Sequence, residues 1–510
     1  MIATGPAAAT PPQDAAAREV AAVARGGLAN LIGAAVSAVV TLALVIVVAR
    51  FVDPAVAGAF FGVTSLFLIV ETLVRLGSDT GAVYFVARWQ ATGALERIRP
   101  ALRAAMAPVF ILAVVTAAVL VIAAPRLADL VADGSSTSTA QLRLLALLIP
   151  IAAMYDVLLA ATRGFRTMRP TVMLDKLARP IMQLVLVVLV LAVGWNGWLG
   201  AAWGLPYLVV LVLAARALRT LCATLPSDEL RARDVAGEFW SFSAPRAIAG
   251  VAQIVLQRLD IVLVAAMRGP GDAAIYTAAS RFLVLGQFFS QAIAAPVQPR
   301  LSAALAGGDT ERARGLYRVS TAWIVLVGWP TFLLAALFAP EYLAVFGHRY
   351  GTHAAIAVVV LLAASMLVAT GVGVVDSVII MAGKTSWNLA TTLLAVAVNV
   401  VVDVLLIPPY GIFGAAIGWC AAIIAANVVP LVVAWKGLGL HPFGAAPLQA
   451  CLLSSGAFGA LPFGARLAAG VPGALAGALA GSLLYVAIVW RRRAAFDLAG
   501  MRRRGSAVRT

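Results

Sequence analysis

Long apolar stretches, separated by short segments rich in arginine and glycine, run through most of this 510-residue chain. Residues 42–48 and 184–193 are apolar throughout and do not alternate with polar residues. Alternation is typical of membrane β-barrels, so the pattern excludes a barrel and predicts transmembrane helices of about 20 residues. The predicted spans are 28–49, 58–80, 106–124, 141–162, 180–194, 199–215, 241–265, 273–296, 319–338, 354–381, 386–407, 412–434, 447–465 and 473–490.

The composition indicates that lipid surrounds much of this chain. It is 62% hydrophobic and only 12% charged, whereas soluble proteins carry about 25% charged residues. The net charge of +16 comes mainly from arginines between the spans, so we interpret it as a topology signal and expect no nucleic-acid partner. With the N-terminus inside, the outer segments hold few cations and the inner segments hold many. The outer cations are Arg50, Arg126, Arg268, Arg349 and Arg466.

An internal duplication divides the predicted helices into two halves. Gly197-Trp-Leu-Gly200-Ala-Ala-Trp-Gly204 recurs 214 positions later as Gly411-Ile-Phe-Gly414-Ala-Ala-Ile-Gly418. The pairs Ala124-Pro125 with Ala339-Pro340, and Pro54 with Pro270, repeat at nearly the same offset. Two halves with an even number of spans have the same orientation, which predicts a pseudo-two-fold axis along the membrane normal.

We therefore predict an all-α polytopic membrane protein of about fourteen helices, made of two six-helix bundles and two C-terminal helices. Small residues such as Gly473, Gly477 and Gly481 are interpreted as packing faces between helices. The predicted segments are a cytoplasmic tail 1–24, an N-terminal lobe 25–220, a cytoplasmic linker 221–240, a C-terminal lobe 241–436, helices 13 and 14 within 437–490, and a basic cytoplasmic tail 491–510.

Two motifs resemble the polysaccharide-exporter flippases of the multidrug/oligosaccharidyl-lipid/polysaccharide exporter superfamily. The first helix ends Ala49-Arg50-Phe-Val-Asp-Pro54-Ala-Val-Ala-Gly58-Ala-Phe, and the second ends Leu76-Gly-Ser-Asp-Thr-Gly-Ala-Val-Tyr84. A departure is that the aromatic residues follow Gly58 instead of preceding it. The resemblance implies a non-enzymatic flippase of lipid-linked oligosaccharides in the bacterial cytoplasmic membrane. It also implies alternating access, no cofactor, and contacts with polysaccharide assembly proteins.

Charged residues inside the predicted spans are candidates for substrate binding, because each costs about 2.5–3.5 kcal/mol to insert without a partner or a wet cavity. Arg75, Arg258 and Arg281, with Glu71 four residues before Arg75, are the candidates for a cationic cavity. The resemblance implies that such cations bind an anionic polyprenyl pyrophosphate. Alternatives remain: a Glu71–Arg75 pair within one helix, pairing of Arg258 with a neighbouring helix, and an Arg281 that reaches the outer interface.

Acidic and amide residues suggest ion coupling. Asn399 and Asp403 stand four apart on one helix face, and the repeat maps them to Val185 and Leu189. In the lipid II flippase branch, an Asp on the seventh helix and such a pair on the eleventh bind sodium, which implies a sodium site at Asp260, Asn399 and Asp403. A proton site and a merely solvated Asp403 remain alternatives, and no other metal is expected. Further ion-coupling candidates are Asp156 and Asp376.

Two other functions are weighed against a flippase. A multidrug or cation antiporter of the same superfamily needs an acidic cavity, whereas three intramembrane arginines favour an anion. A membrane glycosyltransferase or polymerase generally needs large outer loops, and the longest predicted here is only about 125–140. Gly383-Lys384-Thr385 is not a phosphate-binding loop, because Val378 stands where the first glycine is required.

Overall fold

The computed structural model describes the backbone of residues 13–132, 134–226, 230–493 and 496. Side chains are described from residue 29 onward within those ranges, except at 285, 287–289 and 295. This part of the chain is helical nearly throughout and contains no strand, which confirms the predicted fold class. The first helix begins at Gln13, so the second half of the predicted tail 1–24 is helical. Residues 1–12 and most of the tail 491–510 lie outside the described residues.

The described residues of the first half of the chain form eight α-helices. They are α1 (Gln13–Phe51), α2 (Pro54–Val74), α3 (Ser78–Thr92), α4 (Ile98–Val131), α5 (Ser136–Gly164), α6 (Arg179–Ala192), α7 (Leu199–Gly204) and α8 (Pro206–Cys222). A π-helical segment, Thr171–Ala178, runs directly into α6. Short 3₁₀ turns at Leu95–Arg97 and Asn196–Trp198 precede α4 and α7.

Eleven further helices complete the described chain. They are α9 (Ala232–Arg268), α10 (Pro270–Ser280), α11 (Leu283–Ala306), α12 (Thr310–Leu337), α13 (Ala339–Ala344), α14 (His353–Val372), α15 (Val375–Met381), α16 (Thr385–Tyr410), α17 (Ile412–Leu438), α18 (Ala445–Ser454) and α19 (Leu461–Arg491). A 3₁₀ turn, His348–Tyr350, precedes α14, and the π-helical turn Ser455–Ala460 joins α18 to α19.

Within the described residues, eleven helical stretches are long and apolar enough to cross a membrane. Many large apolar side chains point outward, among them Leu467 and Leu483, which are 75% and 76% exposed. Such a surface requires lipid, so the chain is a multi-pass membrane protein. The predicted fifth span falls on α6 and the predicted eighth on α10 with α11, and these helices are not among the eleven. The count of fourteen and the two-bundle layout stay predictions.

The last of these stretches is a helical hairpin. Its backbone is non-helical at Ala469 and Gly470. Ideal Cβ atoms on Gly473 and Gly481 would lie 2.2 Å from the carbonyl oxygen of Ala465 and 2.1 Å from that of Ala457. These pairings run in opposite directions along the chain, so the two segments pack antiparallel. The interpretation of these glycines as a packing face is confirmed.

The repeat landmarks occupy partly equivalent positions. Pro54 begins α2 and Pro270 begins α10, which suits proline because the first helical turn needs no N–H donor there. The two helices touch at this end: a Cβ on Gly58 would lie 1.5 Å from the carbonyl oxygen of Pro270. The third pair is not equivalent, because Pro125 lies inside α4 whereas Pro340 lies at the start of α13.

The predicted second span, 58–80, is wrong at its C-terminal end. Helix α2 ends at Val74, and Leu76 and Gly77 adopt left-handed backbone conformations with φ of 53° and 71°. Glycine is required at position 77 because its backbone contacts α9, where a Cβ would lie 2.4 Å from the carbonyl oxygen of Ser243. The α2–α3 junction therefore separates Asp79, in α3, from Glu71, in α2.

Candidate functional site

Arg258 and Arg281 face one cavity between helices from both halves of the chain. Arg258 lies in α9, and Arg281 lies at the junction where α10 ends and α11 begins. They line a cavity of about 250 Å³. The other lining residues come from α1, the π-helical segment and α11: Ala34, Ser37, Ala38, Thr41, Leu42, Lys176, Val284 and Gln291. We call this space the cationic cavity.

Neither arginine forms a direct ion pair with a carboxylate among the described side chains, although Asp260 lines an adjoining space with both. No described carboxylate oxygen lies within 4.0 Å of either guanidinium group. Arg281 donates from Nε to the carbonyl oxygen of Thr277 at 3.1 Å, and Nε of Arg258 is buried without an acceptor. Holding a cation away from water without a direct counter-ion costs free energy, and binding an anionic ligand lowers that cost. The snorkelling alternative for Arg281 is not what the structure shows, because the side chain is partly buried and lines the cavity.

Two further cations were not predicted from the sequence, Lys176 at this cavity and Arg179 at an adjoining space. Lys176 and Arg179, interpreted there as topology residues, lie in the π-helical segment and at the start of α6. Asp175 pairs with both of them, at 2.7 Å in each case. Arg179 also donates to the hydroxyl of Tyr207 at 3.3 Å. The spacing of Lys176 and Arg179 could have indicated that they lie together, because residues three apart on a continuous helix share a face.

A second space extends the cationic cavity into the first half of the chain. It has a volume of about 220 Å³ and is lined by Arg179, Arg258 and Arg281 together. The rest of its wall includes Thr64 and Phe60 of α2 and Trp203 of α7, together with residues of α1, α6, α9 and α10. Cations from three different parts of the chain therefore converge on one region, whose wall carries both polar and apolar groups.

Arg75 differs from the other predicted cavity arginines, because carboxylates surround it. Its Nε lies 3.1 Å from Glu71, and its Nη1 lies 3.3 Å from Asp79 and 3.1 Å from Asp156 of α5. Its Nη2 donates to Thr72 at 2.9 Å. The side chain of Glu71 is 4% exposed and that of Arg75 is 17% exposed. The intrahelical pairing alternative is therefore what the structure shows, extended by two more acids, and Arg75 lines a separate cavity with α9.

The ion-coupling candidates separate into three places. Asp260 of α9 accepts a hydrogen bond of 2.5 Å from the Tyr276 hydroxyl, and Asn399 donates to Asp403 at 3.1 Å within α16. Asp260 and Asp403 lie within electrostatic range of each other. Asp156 instead pairs with Arg75. Asp376 is exposed in the first turn of α15, in electrostatic range of Tyr317.

The site at Asp260, Asn399 and Asp403 is buried and rich in oxygen atoms without partners. The three residues are 4%, 0% and 0% exposed. In each, one side-chain oxygen, Oδ1, is buried and accepts no hydrogen bond from the described residues. Gly418 of α17 packs against Asp403, where a Cβ would lie 1.9 Å from Oδ1. Oxygen ligands suit a hard cation. No group of three His, Cys, Asp or Glu in the described chain is placed to hold a metal ion.

Solved structures share this fold at low sequence identity. The lipid II flippase MurJ, in an inward closed conformation, has a TM-score of 0.72 and 13% identity, covering 92% of this chain and 99% of its own. An inward-facing multidrug resistance MATE family transporter of the MOP superfamily has a TM-score of 0.65 and 16% identity, covering 79% and 94%. A MOP superfamily transporter from Pyrococcus furiosus, described by the reversed polarity of its binding pocket, has a TM-score of 0.54 and 18% identity, covering 85% and 95%.

A family comparison identifies the chain more specifically than these structures do. No curated protein matches the sequence. The family model described as "Polysaccharide biosynthesis protein" matches residues 47–355, more than half of the chain and a region that includes Arg75, Arg258 and Arg281. The expected resemblance is thereby confirmed, and this chain belongs to the polysaccharide biosynthesis protein family.

Proposed function

We propose that this protein is a flippase that moves a lipid-linked oligosaccharide, carried on a polyprenyl pyrophosphate, across the cytoplasmic membrane. The observation that carries the proposal is the pair Arg258 and Arg281, which face a cavity without acidic partners. Arginine binds phosphate oxygens through a planar fork of donors, which makes each contact both strong and directional. No covalent step is required, because translocation needs only alternating access to the two membrane faces.

The charge in the cationic cavity suits a pyrophosphate. Lys176 and Arg179 share one carboxylate, Asp175, so together the three contribute one net positive charge. Arg258 and Arg281 add two more, and an ionised Asp260, which lines an adjoining space with both arginines, would subtract one and leave a net charge of two. The two ionised phosphates of a polyprenyl pyrophosphate supply charge of the opposite sign and similar size. The cations also come from both halves of the chain, so one bound anion can contact both.

The same charges disfavour the multidrug antiporter alternative. A cationic drug in this cavity would meet two guanidinium groups that have no direct ion-pair partner, and it would be repelled. The fold itself does not decide the matter, because the Pyrococcus furiosus transporter is described as having a binding pocket of reversed polarity. The substrate class must therefore be argued from the residues of this chain, and these favour an anion.

Arg258→Gln tests the proposal, with Arg268→Gln as the matched control. Both arginines lie in α9, but Arg268 is exposed and pairs with Asp272 at 3.5 Å. Because a charged hydrogen bond contributes about 1.5–3 kcal/mol, we expect Arg258→Gln to weaken binding of a polyprenyl pyrophosphate about 10-fold or more. Flipping of a fluorescent polyprenyl pyrophosphate glycan in proteoliposomes measures the consequence. Equal activity of Arg258→Gln, Arg281→Gln and the wild type would overturn the anion-binding mechanism.

We further propose that Asp260, Asn399 and Asp403 couple transport to sodium, with a proton as the competing ion. The buried oxygen atoms without partners support the proposal. The measurement is flipping driven separately by a sodium gradient and by a pH gradient. Sodium-driven transport that is lost in Asp403→Asn supports sodium coupling. Transport that responds only to the pH gradient assigns the same site to a proton, and transport that ignores both gradients refutes coupling.

The charge asymmetry supports a location in the cytoplasmic membrane with both termini in the cytoplasm. Reporter fusions at Lys384, on the inner side, and at Arg349, on the outer side, test this topology. Reporter activity with the opposite pattern would contradict it. Contacts with polysaccharide assembly proteins stay part of the proposal, and crosslinking in cells that make the glycan is the measurement.

A further inference from the structure

A polar cavity lies beside the cationic cavity, between the α2–α3 junction and α9. It has a volume of about 220 Å³. Its wall combines apolar atoms with hydroxyl, amide, carboxylate and guanidinium groups. The lining residues are Thr72, Arg75, Gly77, Asp79, Thr80, Arg246, Ala247, Gly250, Gln253, Ile254 and Gln257. We call this space the polar cavity.

One wall of the polar cavity is a single face of α9. Arg246, Gly250, Gln253 and Gln257 follow one another at intervals of four, three and four residues, which places them in a row along the helix. Gln253 and Gln257 are exposed, and a Cβ on Gly250 would meet no atom within 4 Å. The row therefore presents two neutral amides and the guanidinium group of Arg246, all able to donate hydrogen bonds to hydroxyl groups, beside an open stretch of helix backbone.

The opposite wall carries carboxylates and uncharged hydroxyl groups, and its cation, Arg75, is paired with acids. Arg75 is bound by Glu71, Asp79 and Asp156, so this group carries net negative charge. Thr72 and Thr80 add hydroxyls. Carboxylates repel phosphate but accept hydrogen bonds from hydroxyl groups, and amides both donate and accept them. The chemistry fits a neutral, hydroxyl-rich ligand.

A third space, of about 70 Å³, lies between the two cavities. Gln257 lines this space and the polar cavity, and Arg258 and Arg281 line this space and the cationic cavity. A ligand with its pyrophosphate at Arg258 and Arg281 would thus extend past Asp260 and Gln257 into the polar cavity. In a glycosyl pyrophosphate, the sugar is bonded directly to the phosphate. The phosphate and the sugar therefore follow one another in the same order as the cationic cavity and the polar cavity.

We infer that the polar cavity is a carbohydrate subsite, which binds the hydroxyl groups of the first neutral sugars through Gln253, Gln257, Thr80 and Asp79. This inference rests on the proposed function, since it places the sugars next to a pyrophosphate held in the cationic cavity. It adds that the protein recognises the glycan as well as the lipid pyrophosphate, and that the two parts of the cargo have different contact residues.

Binding to the purified full chain in nanodiscs tests the subsite. The probes are a short-chain polyprenyl pyrophosphate without sugar and the same lipid carrying glucose, galactose or N-acetylglucosamine. We expect the wild type to bind at least one sugar-bearing probe about 10-fold tighter than the bare lipid, as two hydrogen bonds of about 0.7 kcal/mol each would produce. The double variant Gln253→Ala, Thr80→Val should lose that preference while its affinity for the bare lipid stays unchanged.

Gln90→Ala, in α3 and outside this cavity's lining, is the matched control, and thermal unfolding verifies that each variant is folded. A wild type that binds all four probes equally, or a double variant that keeps the sugar preference, overturns the subsite. Failure of the proposed function gives a different result: the bare lipid then does not bind, or its binding is unaffected by Arg258→Gln.

Discussion

Gly418→Ala should uncouple transport from the ion without touching the cationic cavity. An ideal Cβ on Gly418 lies 1.9 Å from Oδ1 of Asp403, and ordinary contact begins at 3.4 Å. Either the carboxylate or α17 must therefore move by about 1.5 Å. A shift of that size in the carboxylate breaks the 3.1 Å hydrogen bond from Asn399 to Asp403.

The expected loss combines two effects. Overpacking of a tight helix contact costs about 1–3 kcal/mol, and a hydrogen bond to a charged group contributes about 1.5–3 kcal/mol. An ion site tolerates displacements of only about 0.5 Å in its ligands. We therefore expect at least a 10-fold weaker ion affinity, and a fold destabilised by no more than a few kcal/mol.

Gly204→Ala is the matched control, because Gly204 occupies the equivalent position in the first half. Its Cβ would meet side-chain methyl groups of Leu148 and Leu145 at 2.5 Å and 2.9 Å, and these can rotate. The assay compares the increase in unfolding temperature caused by sodium chloride over potassium chloride, together with sodium-driven flipping. If folded Gly418→Ala responds to sodium as the wild type does, Asp403 is not an ion ligand and the reasoning fails.

Three other substitutions test the packing. Arg75→Ala leaves buried Glu71 without its cation and should destabilise the protein by about 3–5 kcal/mol, measured by thermal unfolding in detergent. Adding Glu71→Gln should partly restore stability. Normal stability of Arg75→Ala alone would contradict the ion-pair assignment. Gly58→Ala forces α2 away from the backbone of Pro270 and should lower the free energy of unfolding by about 1–3 kcal/mol in the same measurement. An unchanged unfolding temperature would disprove that contact. Gly481→Ala should open the C-terminal hairpin to protease, whereas wild-type resistance would show that the two segments do not pack closely.

The fold was largely predictable because an apolar run of membrane-spanning length has few alternatives in lipid. The repeat also predicted equivalent prolines, and Pro54 and Pro270 begin equivalent helices. The junction at Leu76 and Gly77 was not predictable, because its cause is the approach of Ser243, more than 160 positions away in the chain. Nothing within a local window signals such a contact.

The candidate site was predictable only in part, for a similar reason. Arg258 and Arg281 stand out as charges within apolar runs. The acids around Arg75 include Asp156 of another helix, and sequence periodicity does not report the register between helices. Lys176 and Arg179 sit at the end of an apolar run, where cations ordinarily orient a membrane protein. Their place at the cavity follows from the π-helical segment, which continues the helix past the predicted boundary.

The distribution of the cations over both halves also affects the resting protein. Arg179 belongs to the first half, and Arg258 and Arg281 belong to the second, so cations from the two halves line one space, with Asp175 offsetting part of their charge. In the proposed flippase, repulsion between these cations would penalise an occluded state that lacks substrate. A bound pyrophosphate, with two negative charges, would attract both halves instead. The cationic lining would thereby disfavour transport cycles that carry no substrate.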